Sequence, residues 1–277
     1  MEDDGGDHGG IPGHLLIIGG AEDRCPGAAL LERFVELSGG EAARIALVTT
    51  ATGAPDEVHA GYERVFRRLG ADRTVQLRVR GRSDADSADA AKVLEDATGV
   101  FVSGGDQSRL RTLVGSRINE ILRDRLTAAG GLVVAGTSAG ATALGAAMIL
   151  GGEGPEVSAS AVRTGPGLGL VPKVLIDMHF GERGRLPRLL SAVALDPDRL
   201  GVGLDENTGI LVEGSSFEVL GTGVATVVDA ERATVVHPAG DVDPITLFGV
   251  RLHLLPAGCI FDTATREAGI GPAHDRY

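Results

Sequence analysis

Short apolar runs that end in glycine alternate with longer stretches whose apolar residues recur every three or four positions, and this alternation fills the first half of the chain. Residues 14–18, 45–50, 99–103 and 132–135 have the largely continuous Val/Ile/Leu/Ala character of strands buried on both faces, and 75–79 reads as a further strand. Between them, Leu30, Leu31, Phe34 and Leu37 share one helical face within residues 27–38, and Val58, Tyr62, Val65, Phe66 and Leu69 share another within 56–69. Residues 88–96 predict a shorter helix, and a long helical stretch is expected from Gln107 to Ala129. Strands separated by helices of about ten residues call for right-handed crossovers, hence a doubly wound, mostly parallel α/β sheet. In such sheets, ligands are bound at the carboxyl ends of the strands.

The texture changes from about Gly151. A Gly/Pro/Ser-rich stretch to Pro172 predicts irregular surface chain. A strand at 174–176 then leads into Asp177-Met178-His179-Phe180, and a basic segment carrying Arg183, Arg185 and Arg188 continues into a helix that ends near Ala194. Beyond Leu200 the pattern is one of short strands, at 201–206, 208–212, 217–220, 224–228 and 246–255, expected to extend the sheet with antiparallel strands. No repeat or linker divides the chain, so residues 14–277 are expected to form one α/β domain behind a flexible tail, 1–13.

The carboxyl-end turns hold the candidate chemistry. Gly136-Thr137-Ser138-Ala139-Gly140 lies between a buried strand and a helix of small residues, the context of a nucleophile elbow. Glycines two before and two after the serine allow a tight turn and close approach of the flanking elements. An ordinary glycine-rich turn would share the pentapeptide, so the partners decide. His179 is the best base: it follows a strand and sits in a charged loop, whereas His8 and His274 are near the termini, His14 precedes a strand, His59 lies on a helix, and His237 and His253 belong to late strands. Glu206, in Asp205-Glu206-Asn207-Thr208, could accept the second imidazole N–H, with Asp205 as its rival. The order Ser138, His179, Glu206 differs from the Ser–Asp/Glu–His order of α/β-hydrolases, so a different fold is expected to carry the chemistry.

Gly104-Gly105-Asp106-Gln107 lacks the spacing of a dinucleotide or P-loop motif, and the Gly105 N–H, paired with that of Ala139, suits an oxyanion hole better. Arg183, Arg185 and Arg188 form a positive island beside the candidate base, and arginine binds carboxylates in bidentate fashion. That island stands out because the chain carries a net charge of −12, which argues against a nucleic-acid or anionic-membrane partner. Aromatic residues make up only 3% and tryptophan is absent, so a core of Val, Leu, Ile and Ala is expected. Cys25 and Cys259 stand far apart, without the spacing of a zinc site or disulfide framework, which points to a reduced, cytoplasmic setting. The N-terminus is acidic and glycine-rich, unlike the basic and then apolar order of a signal peptide, and no apolar run reaches the roughly 18 residues of a membrane span.

Taken together, Ile-Ile-Gly-Gly-Ala-Glu (17–22), Phe-Val-Ser-Gly-Gly-Asp-Gln (101–107), Gly-Thr-Ser-Ala-Gly-Ala (136–141), Asp-Met-His-Phe (177–180) with its arginines, and Gly-Leu-Asp-Glu-Asn-Thr (203–208) resemble the cyanophycinase branch of the dipeptidase E-like serine peptidases. The resemblance spans about residues 14–262, with its motifs in order. It implies a flavodoxin-like core, a Ser138–His179–Glu206 triad, an oxyanion hole at Gly105 and Ala139, no metal or other cofactor, and a homodimer. It further implies that Gln107, Asp177, Arg183, Arg185 and Arg188 hold cyanophycin, a poly-aspartate backbone with arginine on each side-chain carboxyl, for cleavage to β-Asp-Arg dipeptides; Asp177 would meet the substrate guanidinium. The family usually has Gln where this chain has Met178, which puts strict cyanophycin specificity in question. Two alternatives stay open: a hydrolase of other small acidic peptides using the same triad, and a non-catalytic protein capturing an anion on the arginines. A class I glutamine amidotransferase would need cysteine at position 138.

Overall fold

The computed structural model describes residues 11–128, 131–152, 154–240 and 242–271. In chain order, the first half comprises β1 (Ile11–Ile18), α1 (Ala29–Leu37), β2 (Arg44–Val48), α2 (Pro55–Arg68), β3 (Arg73–Leu77), α3 (Arg82–Ala85), α4 (Ala88–Asp96), β4 (Gly99–Val102), α5 (Arg117–Thr127), β5 (Val133–Thr137) and α6 (Ala139–Leu144). The second comprises β6 (Gly145–Gly151), β7 (Arg163–Pro166), β8 (Val171–Met178), α7 (Leu186–Leu195), β9 (Leu200–Leu204), β10 (Thr208–Gly214), β11 (Ser216–Gly221), β12 (Val224–Asp229), β13 (Thr234–Val236), β14 (Thr246–Phe248), β15 (Arg251–Pro256), β16 (Cys259–Asp262) and β17 (Glu267–Ile270).

The parallel core runs β1-β5-β4-β2-β3. The inner strands β5, β4 and β2 are mostly apolar because both faces are covered, whereas the edge strand β3 is polar at Arg73, Thr74 and Gln76 and only partly buried. Leu16 and Ile18 point with Ile45, Leu47, Phe101 and Ala135 toward α1 and α2, while Leu15 and Ile17 join Val48, Val100, Val102 and Val134 against α4 and α5. Four of the few aromatic residues, Phe34, Tyr62, Phe66 and Phe101, form one packed group under α1 and α2, with centroids from 4.8 to 5.7 Å apart. β10, β11, β16 and β17 extend this sheet as antiparallel strands beyond β1.

Several expectations are corrected. β1 begins at Ile11, so the strand takes in residues 11–13, which were expected in the tail; residues 1–10 lie outside the described residues. The stretch after Gln107 is a 3-10 helix (Gln107–Leu113) and then α5, separated where Gly115 has φ 63° and the Ser116 hydroxyl caps the new helix. α6 has only six residues and turns into β6. The Gly/Pro/Ser-rich stretch contains β7, and residues 246–255 divide between β14 and β15. Most importantly, the later strands do not all extend the first sheet: β15-β12-β9-β8-β6-β7 form a second, six-stranded one. In it β6, β8 and β9 are mutually parallel. Its inner face packs on α6 and the first sheet through Met148, Ile176, Val202 and Val227, and α7 covers the outer face with Leu189 and Val193.

Candidate active site

Strand order places the site. β5 lies between β1 and β4, so the turn after it is flanked by the Gly19-Gly20 turn on one side and the Gly104-Gly105 turn on the other. Ser138 occupies the tip with φ 52° and ψ −116°, a conformation that costs on the order of 1–3 kcal/mol and persists where the surroundings impose it. The flanking glycines are needed for close approach: a Cβ on Gly140 would lie 2.1 Å from the Val102 carbonyl oxygen, and one on Gly136 2.7 Å from that of Gly140. Ala139 is the first residue of α6, so its N–H has no acceptor within the helix. The Gly104-Gly105 turn abuts Ser138, with the Gly104 Cβ direction leading to Ser138 Cβ at 3.2 Å. It is held by Asp106 N–H donating to Ala51 O at 2.9 Å, and by the Asp106 carboxylate accepting from Ser108 N–H.

The second sheet supplies the other partners. β8 and β9 are parallel with Met178 opposite Leu204, so the residues that follow them, His179 and Asp205-Glu206, emerge side by side. Ser138 Oγ lies 2.9 Å from His179 Nε2, and His179 Nδ1 lies 2.7 Å from Glu206 Oε1. An ionised carboxylate only accepts, so Nδ1 carries the proton and Nε2 is free to take one from Ser138. Asp205 is not equivalent: its two oxygens accept from the backbone N–H groups of Gly181 and Val224 and fix the turn. Three consecutive carbonyls of the β1 turn hold the three segments together. Ile18 O accepts from Ser138 N–H (3.0 Å), Gly19 O from His179 N–H (2.9 Å), and Gly20 O from Asn207 N–H (2.9 Å).

Beside this chain opens a cleft of about 500 Å³, lined in part by Gly105, Gln107, Ser138, His179 and the three arginines of the basic segment. The arginines differ in role. Arg188 is buried and donates to both oxygens of Asp177, with Nε at 2.9 Å from Oδ2; Arg185 Nη1 approaches Oδ1 at 3.5 Å. Arg183 is exposed at the mouth. Asp177 is fully buried and also accepts from Met178 N–H. Its carboxylate therefore faces its own arginines rather than the cleft, at odds with the expectation that it meets a substrate guanidinium. The Met178 sulfur lies 2.9 Å from Arg185 Nη1, a weak acceptor where an amide is usual in the resembled family. Gln107 Nε2 donates to Ile149 O and Leu150 O, at 3.2 and 3.1 Å, so what it can still offer a ligand is its carbonyl oxygen.

Two contributors are not visible in the sequence. Arg163, on β7, lines the same cleft across from Gly151, where its guanidinium fills the space that a Cβ would need. Glu182 accepts from the Glu206 backbone N–H at 3.0 Å. A lone arginine in a Gly/Pro/Ser-rich stretch and a loop glutamate have no periodicity or spacing that would single them out. His8 and His274 lie outside the described residues, and His14 instead contacts Glu213.

Among the described residues, no group of three or more His, Cys, Asp or Glu side chains could hold a metal ion, and no helix is long and apolar enough to cross a membrane. The fold resembles that of a peptidase from an acI-B1 Actinobacterium, with a TM-score of 0.63 and 22% identity over 87% of this chain and 98% of that one. In sequence the chain is similar to the cyanophycinase of Trichormus variabilis, 40% identical over 88% of this chain and 83% of the relative. It is also similar to the cyanophycinase of Geminocystis herdmanii, 36% identical over 93% and 96%. The pattern of peptidase family S51 matches residues 15–220, from the first strand into β11, and so takes in Ser138, His179 and Glu206. The chain belongs to peptidase family S51.

Proposed function

We propose that the protein is a cyanophycinase, a serine exopeptidase that releases β-Asp-Arg dipeptides from multi-L-arginyl-poly-L-aspartate. The observation that carries this reading is a hydrogen-bonded Ser138–His179–Glu206 chain opening onto an arginine-lined cleft, in a chain 36–40% identical to cyanophycinases over most of its length.

In the proposed reaction Glu206 holds His179 in the tautomer with Nδ1–H, His179 Nε2 takes the Ser138 proton, and Oγ attacks the backbone carbonyl. The N–H groups of Gly105 and Ala139 stabilise the oxyanion, each worth about 3 kcal/mol of the barrier. His179 then protonates the leaving amine, and water, deprotonated by the same imidazole, releases the acyl group. The free α-carboxylate of the substrate pairs with the arginines; Asp177 acts one step back, keeping Arg185 and Arg188 aimed. The substrate guanidinium finds an acceptor in the Gln107 carbonyl oxygen. Residues from 14 onward act as one unit in this reading, because the triad draws on both sheets. A cytoplasmic setting and a homodimer belong to the same reading, supported by the spacing of the cysteines and the family resemblance.

Met178 favours one second reading, the hydrolysis of other small acidic peptides by the same triad. Parallel assays on cyanophycin and on Asp-Xaa dipeptides separate the two: faster kcat/KM on cyanophycin supports the first, and turnover of the dipeptides alone supports the second.

A further inference from the structure

Glu22 is a carboxylate that the reaction above does not use, yet it is buried, with 1% of its side chain exposed, directly behind the nucleophile. Thr137, the residue before Ser138, donates its hydroxyl to Glu22 Oε2 at 2.5 Å. Tyr62, from α2, donates to Oε1 at 2.5 Å, and Arg24 Nη2 approaches the same oxygen at 3.3 Å while lying over the Tyr62 ring. Burial, and then the Glu22 charge, push the Tyr62 hydroxyl well above its usual value, so it remains a donor. A buried carboxylate with three donors is fixed in place.

What it fixes is the segment whose carbonyls hold the triad. Residues 18–20 accept from the N–H groups of Ser138, His179 and Asn207, and the Gly20 Cα lies under the His179 ring. On the far side of Glu22, Asp23 N–H donates to Asn207 Oδ1 at 3.0 Å, and Asn207 Nδ2 donates back to Asp23 Oδ2 at 2.8 Å. Between these bonds Glu22 anchors the turn inward, to the residue before the nucleophile and to α2. We propose that Glu22 is a positioning residue: through Thr137 it locks the β1 turn to the elbow and so sets the Ser138–His179–Glu206 geometry.

The proposal rests on Ser138 being an activated nucleophile, and its test is independent of the natural substrate. Inactivation of the whole protein by phenylmethylsulfonyl fluoride is followed to saturation, with labelling at Ser138 confirmed by peptide mass spectrometry. Glu22→Ala is expected to lower the limiting inactivation rate by more than about tenfold, with the half-saturating reagent concentration within about twofold of wild type. Thr137→Val, which removes only the hydroxyl at nearly constant volume, should reproduce most of that loss and decides the matter if Glu22→Ala does not fold. Glu22→Gln should recover to within about threefold of wild type, because its amide can accept from Tyr62 and donate to the Thr137 hydroxyl. Folded Glu22→Ala and Thr137→Val proteins that react at the wild-type rate would overturn the proposal, as would a Gln variant no better than Ala. A wild-type protein not labelled at Ser138 would instead remove the nucleophile reading, and the proposal with it.

Discussion

Gly20 lies directly beneath the imidazole of His179: a Cβ at position 20 would sit 2.4 Å from Cε1 and 2.7 Å from Nε2. The turn after the first strand therefore sets the position of the His179 ring as well as holding the backbone around it. Gly20→Ala is expected to push the ring away from Ser138 and, at φ 105°, to strain the turn itself. A displacement near 1 Å corresponds to about a hundredfold loss of kcat, to be measured with KM in the same assay.

Glu206→Gln keeps the size of the orienting group but lets an amide donor face Nδ1, which favours the wrong tautomer. kcat is expected to fall by about three to four orders of magnitude. Glu206 is 39% exposed, so water can partly replace the lost interaction and the smaller loss is the expected one. Circular dichroism should show an unchanged fold.

Asp177 and Arg183 should separate stability from binding. Removing the buried carboxylate in Asp177→Ala leaves Arg188 uncompensated and is expected to cost about 3–5 kcal/mol in urea unfolding, with KM raised as the arginines lose their aim. Arg183→Ala, at an exposed position, should change stability by no more than about 0.5 kcal/mol. It should nonetheless raise KM about tenfold, for one charged hydrogen bond lost.

Asp106 caps the turn that presents the Gly105 N–H. The hydroxyl and N–H of Ser108 hold its carboxyl below the ordinary value of 3.8. A group lowered on folding stabilises fully above its unfolded value and loses that effect as pH falls through the folded one. The Tm advantage of wild type over Asp106→Ala should therefore be constant above pH 3.8 and shrink below it. An advantage that grew in acid would contradict the cap.

The parallel core and the residues of the hydrogen-bonded chain Ser138–His179–Glu206 are legible in the sequence because each has a local signature. Buried parallel strands read as continuous apolar runs, and a serine flanked by glycines between a strand and a helix marks a turn sharp enough to expose its hydroxyl. His179 stands out at a strand end, and its adjacency to Glu206 follows from β8 and β9 pairing in parallel. The choice between Asp205 and Glu206 is not readable, since it turns on which carboxylate is already bonded to Gly181 and Val224. Nor is the second sheet: α6 is too short to show a helical period, and β6 follows it directly, beginning at the helix's own C-cap, Gly145. Asp177 reads as a ligand-binding acid because sequence shows charge but not burial. Glu22 stands within a recognised motif, yet its partners Thr137 and Tyr62 are distant in the chain and meet it only through the packing of α2 and β5 on β1.

The most direct test of the central claim is incubation of wild type and Ser138→Ala with insoluble cyanophycin, with soluble products identified by mass spectrometry. The account predicts β-Asp-Arg from the wild type and none above background from Ser138→Ala. Dipeptide release that survives in Ser138→Ala would contradict it, and so would a wild type that releases nothing from the polymer.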